Sequence, residues 1–252
     1  MSALVTYHNN AALKTAFLGE IGKHEAVDAL VKGSYGRMNG HFKGCAIGCS
    51  HYSLLVLNGK TPAAAARIAG EGHHASVAND LGWPLWLAYL EDNLFERLPD
   101  DLSKTWPRRL AEAIPVGVTV PDLVLAKLLR WTLLDARFGA VHTADAESTK
   151  NIVRTMGALF DRTIAGEAVP EAAWAARDAW AARDAWAARA ARAARDAWAA
   201  RDAWAAWAAR DAWAARDADI RDAFYPALSG ELLRLLRELA PSDVTTTATV
   251  SA

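Results

Sequence analysis

Glycine recurs at positions 33, 36, 40, 44 and 48, and Lys32, Arg37, His41 and Lys43 stand among these glycines. Glycine lets successive backbone N–H groups turn toward one point, and cations beside such a nest neutralise an anion held there. Tyr35, Phe42 and Tyr52 add aromatic faces on which a base can stack. The combination points to a phosphorylated, nucleotide-like small molecule. The loop is not of the Walker type, because Gly-Lys-Ser/Thr does not end it. If a helix opens near Gly48, its free amides join the anion site. The competing account is a surface loop with ordinary charges.

Glu91, Asp92 and Glu96 lie in the helical pattern Leu90-Glu91-Asp92-Asn93-Leu94-Phe95-Glu96. Asp92 and Glu96 share a helix face and repel by roughly a few tenths of a kcal/mol. Opposite a cationic loop, these carboxylates would accept hydrogen bonds from ribose hydroxyls; a solvated helix face is the simpler account. Cys45-x-x-x-Cys49-x-His51, followed by His73 and His74, contains enough donors for zinc. The spacing is not that of a common zinc module, and small cysteines beside glycines commonly serve packing. No metal and no cofactor are therefore expected, with Cys45, Cys49 and His51 lining the ligand site. A Cys–His nucleophilic pair needs a geometry that nearness in sequence does not supply. With no complete catalytic constellation, binding is favoured over catalysis.

These segments must be positioned by a chain of 252 residues, long enough to bury a substantial core. No run of eighteen or more uncharged apolar residues occurs, so no membrane partner is expected. The opening residues lack a basic segment followed by an apolar one, so no secretion signal is expected. Cys45 and Cys49 are the two cysteines, which is compatible with a reducing cytoplasm. A net charge of −1, with both signs interspersed, is not the footprint of a nucleic-acid binder.

Seven of the eleven tryptophans fall in one repeat, at 174, 180, 186, 198, 204, 207 and 213. Residues 171–225 contain neither glycine nor proline and are dominated by alanine, so local propensity is strongly helical. Unbroken, that helix would be roughly 80 Å long at about 1.5 Å per residue. The unit Ala-Trp-Ala-Ala-Arg-Asp turns a helix by about 240°, so successive indoles visit three faces rather than one. Arg177 and Asp178 are adjacent, and Asp178 and Arg183 are five apart; neither spacing closes an ion pair on one face. Packing between repeat helices follows, unless the repeat is low-complexity drift.

Further helices are expected over 24–32, over 84–98 behind Pro84, over 121–135 around Trp131, over 143–167 and over 232–239. Pro226 and Gly230 read as a helix end. Residues 52–57 alone read as a possible strand. The fold class is all-α: a helical bundle with a long repeat helix or helix hairpin.

Gly44-Cys45-Ala46-Ile47-Gly48-Cys49, Leu81-Gly82-Trp83-Pro84, Leu90-Glu91-Asp92 with Phe95-Glu96-Arg97-Leu98, and Ala113-Ile114-Pro115-Val116-Gly117 occur in that order. Residues 23–135, which carry them, resemble a family of uncharacterised bacteriophage proteins. The repeat is similar to the C-terminal part of proteins labelled putative immunity proteins. The resemblance implies an accessory protein in the cytoplasm of a bacterial host that counters host defence. Some such proteins are sponges, oligomers that bind a nucleotide immune signal without cleaving it.

The leading expectation is a homo-oligomeric binder of a cyclic-nucleotide or ADP-ribose-type signal. Lys32, Arg37, His41 and Lys43 would hold its phosphates, Tyr35 or Phe42 its base, and Glu91, Asp92 or Glu96 its hydroxyls. The alternatives are an enzyme acting on such a ligand, with His41, His51 or a carboxylate as general base, and an immunity-type protein that caps a toxin or defence protein. Three parts are expected: a helical ligand-binding domain over 1–168, a repeat assembly region over 169–239 and a disordered tail over 240–252. Light scattering at micromolar concentration should find an oligomer; a monodisperse monomer would rule out the assembly role.

Overall fold

Leu87, Leu90 and Leu94 recur at helical spacing behind Pro84, whose fixed φ suits the start of a helix. The segment they define, Leu85–Arg97, is the helix around which the others gather. The computed structural model describes residues 4–143, 147–170 and 218–239. In chain order the main elements are α1 (Ala11–Ala26), β1 (Arg37–Asn39), β2 (His41–Lys43), α2 (Ala46–Leu57), α3 (Pro62–Ala69), α4 (His74–Leu81) and α5 (Leu85–Arg97). Then follow α6 (Asp100–Ser103), α7 (Trp106–Ala113), α8 (Asp122–Leu134), α9 (Ala140–Thr143), α10 (Glu147–Ile164) and α11 (Ala218–Arg237). The fold is helical, and its sheet among the described residues is the hairpin β1–β2. Among these residues no helix is long and apolar enough to cross a membrane.

Around α5 pack α2, α4, α6, α7 and α11, and α8 lies between α10 and α11. Trp83, Trp86 and Trp106 are buried, each large side chain contributing on the order of 2–3 kcal/mol through area removed from water. The Trp106 indole donates to the Glu91 carbonyl at 2.9 Å, tying α7 to α5.

Several expectations change. Residues 24–32 do not form a helix: α1 ends at Ala26, and Asp28 adopts φ +50°. The backbone beyond it pairs instead with the exit of the hairpin. Val31 N donates to the Gly44 carbonyl at 2.8 Å, and Gly44 N donates to that of Ala29 at 3.0 Å. Residues 52–57 lie in α2 rather than in a strand; a short apolar run fits either element, and here burial on the helical core decides. The last helix begins at Ala218 and runs through Pro226 and Gly230. Proline removes one backbone bond, but the helix buries Phe224, Leu228, Leu232 and Leu236 in the common core. α11 therefore packs against α5, α7 and α8. The repeat over 171–217 and the tail over 240–252 lie outside the described residues, and with them the expected helix and its packing faces.

His24 closes the end of α1 against α2. Its ring meets Phe42 and Tyr52 edge-on, and its Nε2 lies 3.2 Å from Ser53 Oγ. Burial holds its pKa below the ordinary 6.5, and the nearby charges of Lys23 and His41 lower it further against Glu20 and the Phe42 backbone. The unfolded chain therefore takes up this proton first. Neutral His24 contributes stability above about pH 6.5 that is lost as pH falls toward its folded-state value. Thermal melts from about pH 7 to about pH 5 should show Tm falling less steeply for His24→Asn than for the parent chain.

Candidate functional site

The loop between α1 and α2 lies on α2's first turn because two positions there carry no side chain. A Cβ on Gly48 would stand 1.5 Å from the Tyr35 carbonyl oxygen, and one on Gly44 2.2 Å from it. Cys45 N donates to the Ser34 carbonyl at 2.7 Å, fixing the same approach. These glycines thus serve a close backbone packing, not an open nest. Tyr35 stands against the start of α4: its ring meets His74 edge-on at 6.0 Å, and His74 in turn stacks on Tyr89 of α5 at 4.3 Å.

Behind Tyr35 the acidic face of α5 meets Cys45, the residue that precedes α2. Ligand atoms of Cys45, Asp92 and Glu96 all lie within 4.8 Å of one another. Both Glu96 oxygens accept from Gly33 N at 3.0 Å, and Asp92 Oδ2 lies 3.1 Å from His74 Nε2. Asp92 Oδ1 is shut off from solvent and has no hydrogen-bond partner. Burial, then the charge of Asp92, pushes the Cys45 thiol well above its ordinary range. Cys49 faces elsewhere, with Sγ 3.5 Å from the Gly44 carbonyl oxygen, and burial pushes its thiol up to about 12. Neither cysteine is an activated nucleophile as it stands.

Glu91, expected to meet a ligand, is instead inside the core. Its Oε1 accepts from Ser50 Oγ at 3.0 Å, and burial pushes its pKa up to about 8, so at neutral pH it is held largely as the neutral acid. His51 is also buried, edge-on to His73 at 5.4 Å, with Nδ1 unpartnered. Phe42 is stacked on Tyr52 with ring centroids 4.6 Å apart and is buried, so its face is already covered. Lys32 donates to the Leu98 carbonyl and to Asp100, both at 2.7 Å.

The hairpin gathers the remaining cations. Arg37 is registered opposite Lys43 and Asn39 opposite His41, across a turn at Gly40 with φ +73°. Opposed residues of an antiparallel pair share a face, so Arg37, His41 and Lys43 lie on one side. Like charges so opposed weaken the pairing. The nearby acids are engaged elsewhere, Asp28 by Lys104 and Asp100 by Lys32. A groove of about 500 Å³ runs between this hairpin and α3, lined by Gly36, Arg37, Met38, Ala63, Ala66, Arg67, Gly70 and Glu71.

Comparisons with protein-family models, with curated proteins and with solved structures found no match to this chain. The geometry therefore speaks for itself. It brings Cys45, Asp92 and Glu96 together and sets Arg37, His41 and Lys43 on one hairpin face. It leaves Lys32, Phe42, Cys49, His51 and Glu91 engaged in other contacts.

Arg67 did not stand out in the sequence, and His74 stood out only as a donor downstream of the two cysteines. Ala63, Ala66 and Gly70, spaced three and four apart beside Arg67, spell a small-residue helix face, and that signal was readable. Replacing Gly48 by Ala should cost about 3 kcal/mol or more in denaturant melts, because backbone must move. The exposed Gly19 in α1 meets nothing, and Gly19→Ala should stabilise by about 0.5–1 kcal/mol.

Proposed function

We propose that this protein binds a phosphorylated, nucleotide-like small molecule in the groove between the hairpin and α3, and holds it without cleaving it. The observation that carries the reading is a pair of arginines on one groove, with Lys43 opposed to one of them in the hairpin. Arg37 and Lys43 are directly opposed, Arg67 lines the other wall, and among the described residues none of the three is in an ion pair. Such a placement is unfavourable for the free chain and is relieved by an anion. Arginine is suited to the task, since its planar fork meets phosphate oxygens in pairs. Ala63 and Ala66 leave a floor low enough for a flat ring, with the exposed Met38 beside it.

Retention rather than turnover follows from what lines the groove. Glu71, its carboxylate, lies 3.6 Å from His73, and no nucleophile is poised there among the described residues. A binder of this kind fits the phage-family resemblance as a sponge for a cyclic-nucleotide or ADP-ribose-type immune signal, with the repeat as its means of self-association.

The test is to incubate the full chain with a panel of such nucleotides, remove unbound ligand, denature by heat and identify what is released. An intact nucleotide is expected. An altered one would make the protein an enzyme, and none retained would favour the protein-capping alternative. Arg37→Ala and Arg67→Ala should each weaken retention by about 10-fold to 100-fold, the worth of a charge-assisted hydrogen bond of about 1.5–3 kcal/mol. Undiminished binding in both variants would remove the ligand from this groove.

A further inference from the structure

We infer that Cys45, Asp92 and Glu96 form a site for a single divalent transition-metal ion of the zinc class, joining the start of α2 to α5. Three donors of the right chemistry converge from two separate parts of the chain, one sulfur and two carboxylates, with their ligand atoms within 4.8 Å of one another. Donors around a tetrahedral zinc stand about 3.5 Å apart, so the side chains have only to close on the ion.

The surroundings are built as such a site needs. Asp92 presents a solvent-excluded Oδ1 with no hydrogen-bond partner, while its Oδ2 is engaged by His74. A carboxylate oriented by histidine through one oxygen, with the other left for the metal, is a recurrent outer-shell arrangement. Gly33 N holds Glu96 through both of its oxygens, and Tyr89 stacked on His74 fixes that ring. Cys45 is 2 % exposed, and its thiol faces both acids. Two carboxylates crowd a buried thiol, and of the two only Asp92 has a histidine against it. A metal ion displaces the thiol proton to solvent and bonds to the thiolate, so charge on both sides is offset. Cys49, which the sequence spacing pairs with Cys45, takes no part, because its sulfur turns to the Gly44 carbonyl.

The donors do not line the groove, so the inference stands apart from the ligand reading. The full chain, stripped with a chelator that is then removed, is titrated with Co²⁺ alone. A thiolate-to-cobalt absorption band should saturate at one ion per chain and disappear on addition of Zn²⁺. Cys45→Ser should abolish the band, whereas Cys49→Ser should keep it. Glu96→Gln leaves the thiol in place and should weaken cobalt binding by at least about 10-fold; His74→Ala should weaken it by about 10-fold to 100-fold. Circular dichroism confirms that each variant is folded. A folded parent chain without the band, a band that follows Cys49 instead of Cys45, or Glu96→Gln with undiminished affinity would each overturn the site.

Discussion

The Tyr35 carbonyl lies against the first turn of α2 at a distance that only glycine at 44 and 48 permits. That approach sets the hairpin's origin, because β1 begins two residues after Tyr35. It also turns Cys45 toward α5, since the Cys45 amide is spent on the Ser34 carbonyl of the same loop. Both the cation-bearing hairpin and the thiol–carboxylate cluster thus hang on one backbone contact. A single methyl group at 48 would push directly on backbone, which has no flexible end to yield.

The core beneath this contact is made of large apolar side chains with one acid among them. Glu91 is solvent-free, bonded to Ser50 and held largely neutral at ordinary pH, so α5 buries nearly its whole circumference without carrying a charge inside. Its neighbours Asp92 and Glu96 share the other face, which opens toward the loop. Two acids adjacent in sequence therefore have opposite surroundings, one in the core and one at the cluster. The helix's rotation of about 100° per residue accounts for this separation.

Helices stood out in the sequence wherever a regular apolar stripe followed a proline, as at Pro84 and Pro121, because periodicity and fixed φ are local properties. Local properties misled where a distant segment supplied a partner. Residues 29–31 carry helix-compatible side chains, yet they pair with Gly44, and Pro226 fails to end α11 because the core takes the residues on both sides of it. The cationic loop was recognisable from composition, but which cations would be free was not. Lys32 is tied to Asp100 across 68 positions of chain, whereas Arg37 meets Lys43 within one hairpin.

What the sequence by itself determined is the helical class, the placement of the proline-led helices and the concentration of cations, glycines and cysteines in one stretch. Those follow from propensity, periodicity and residue type, each of which acts within a few residues. Only the tertiary structure decided that the glycines admit Tyr35, that Cys45 joins Asp92 and Glu96 while Cys49 turns away, and that Arg67 and Arg37 line one groove. These outcomes depend on how α2, α3 and α5 pack, and contacts between segments tens of residues apart are set by the shape and burial of the whole core.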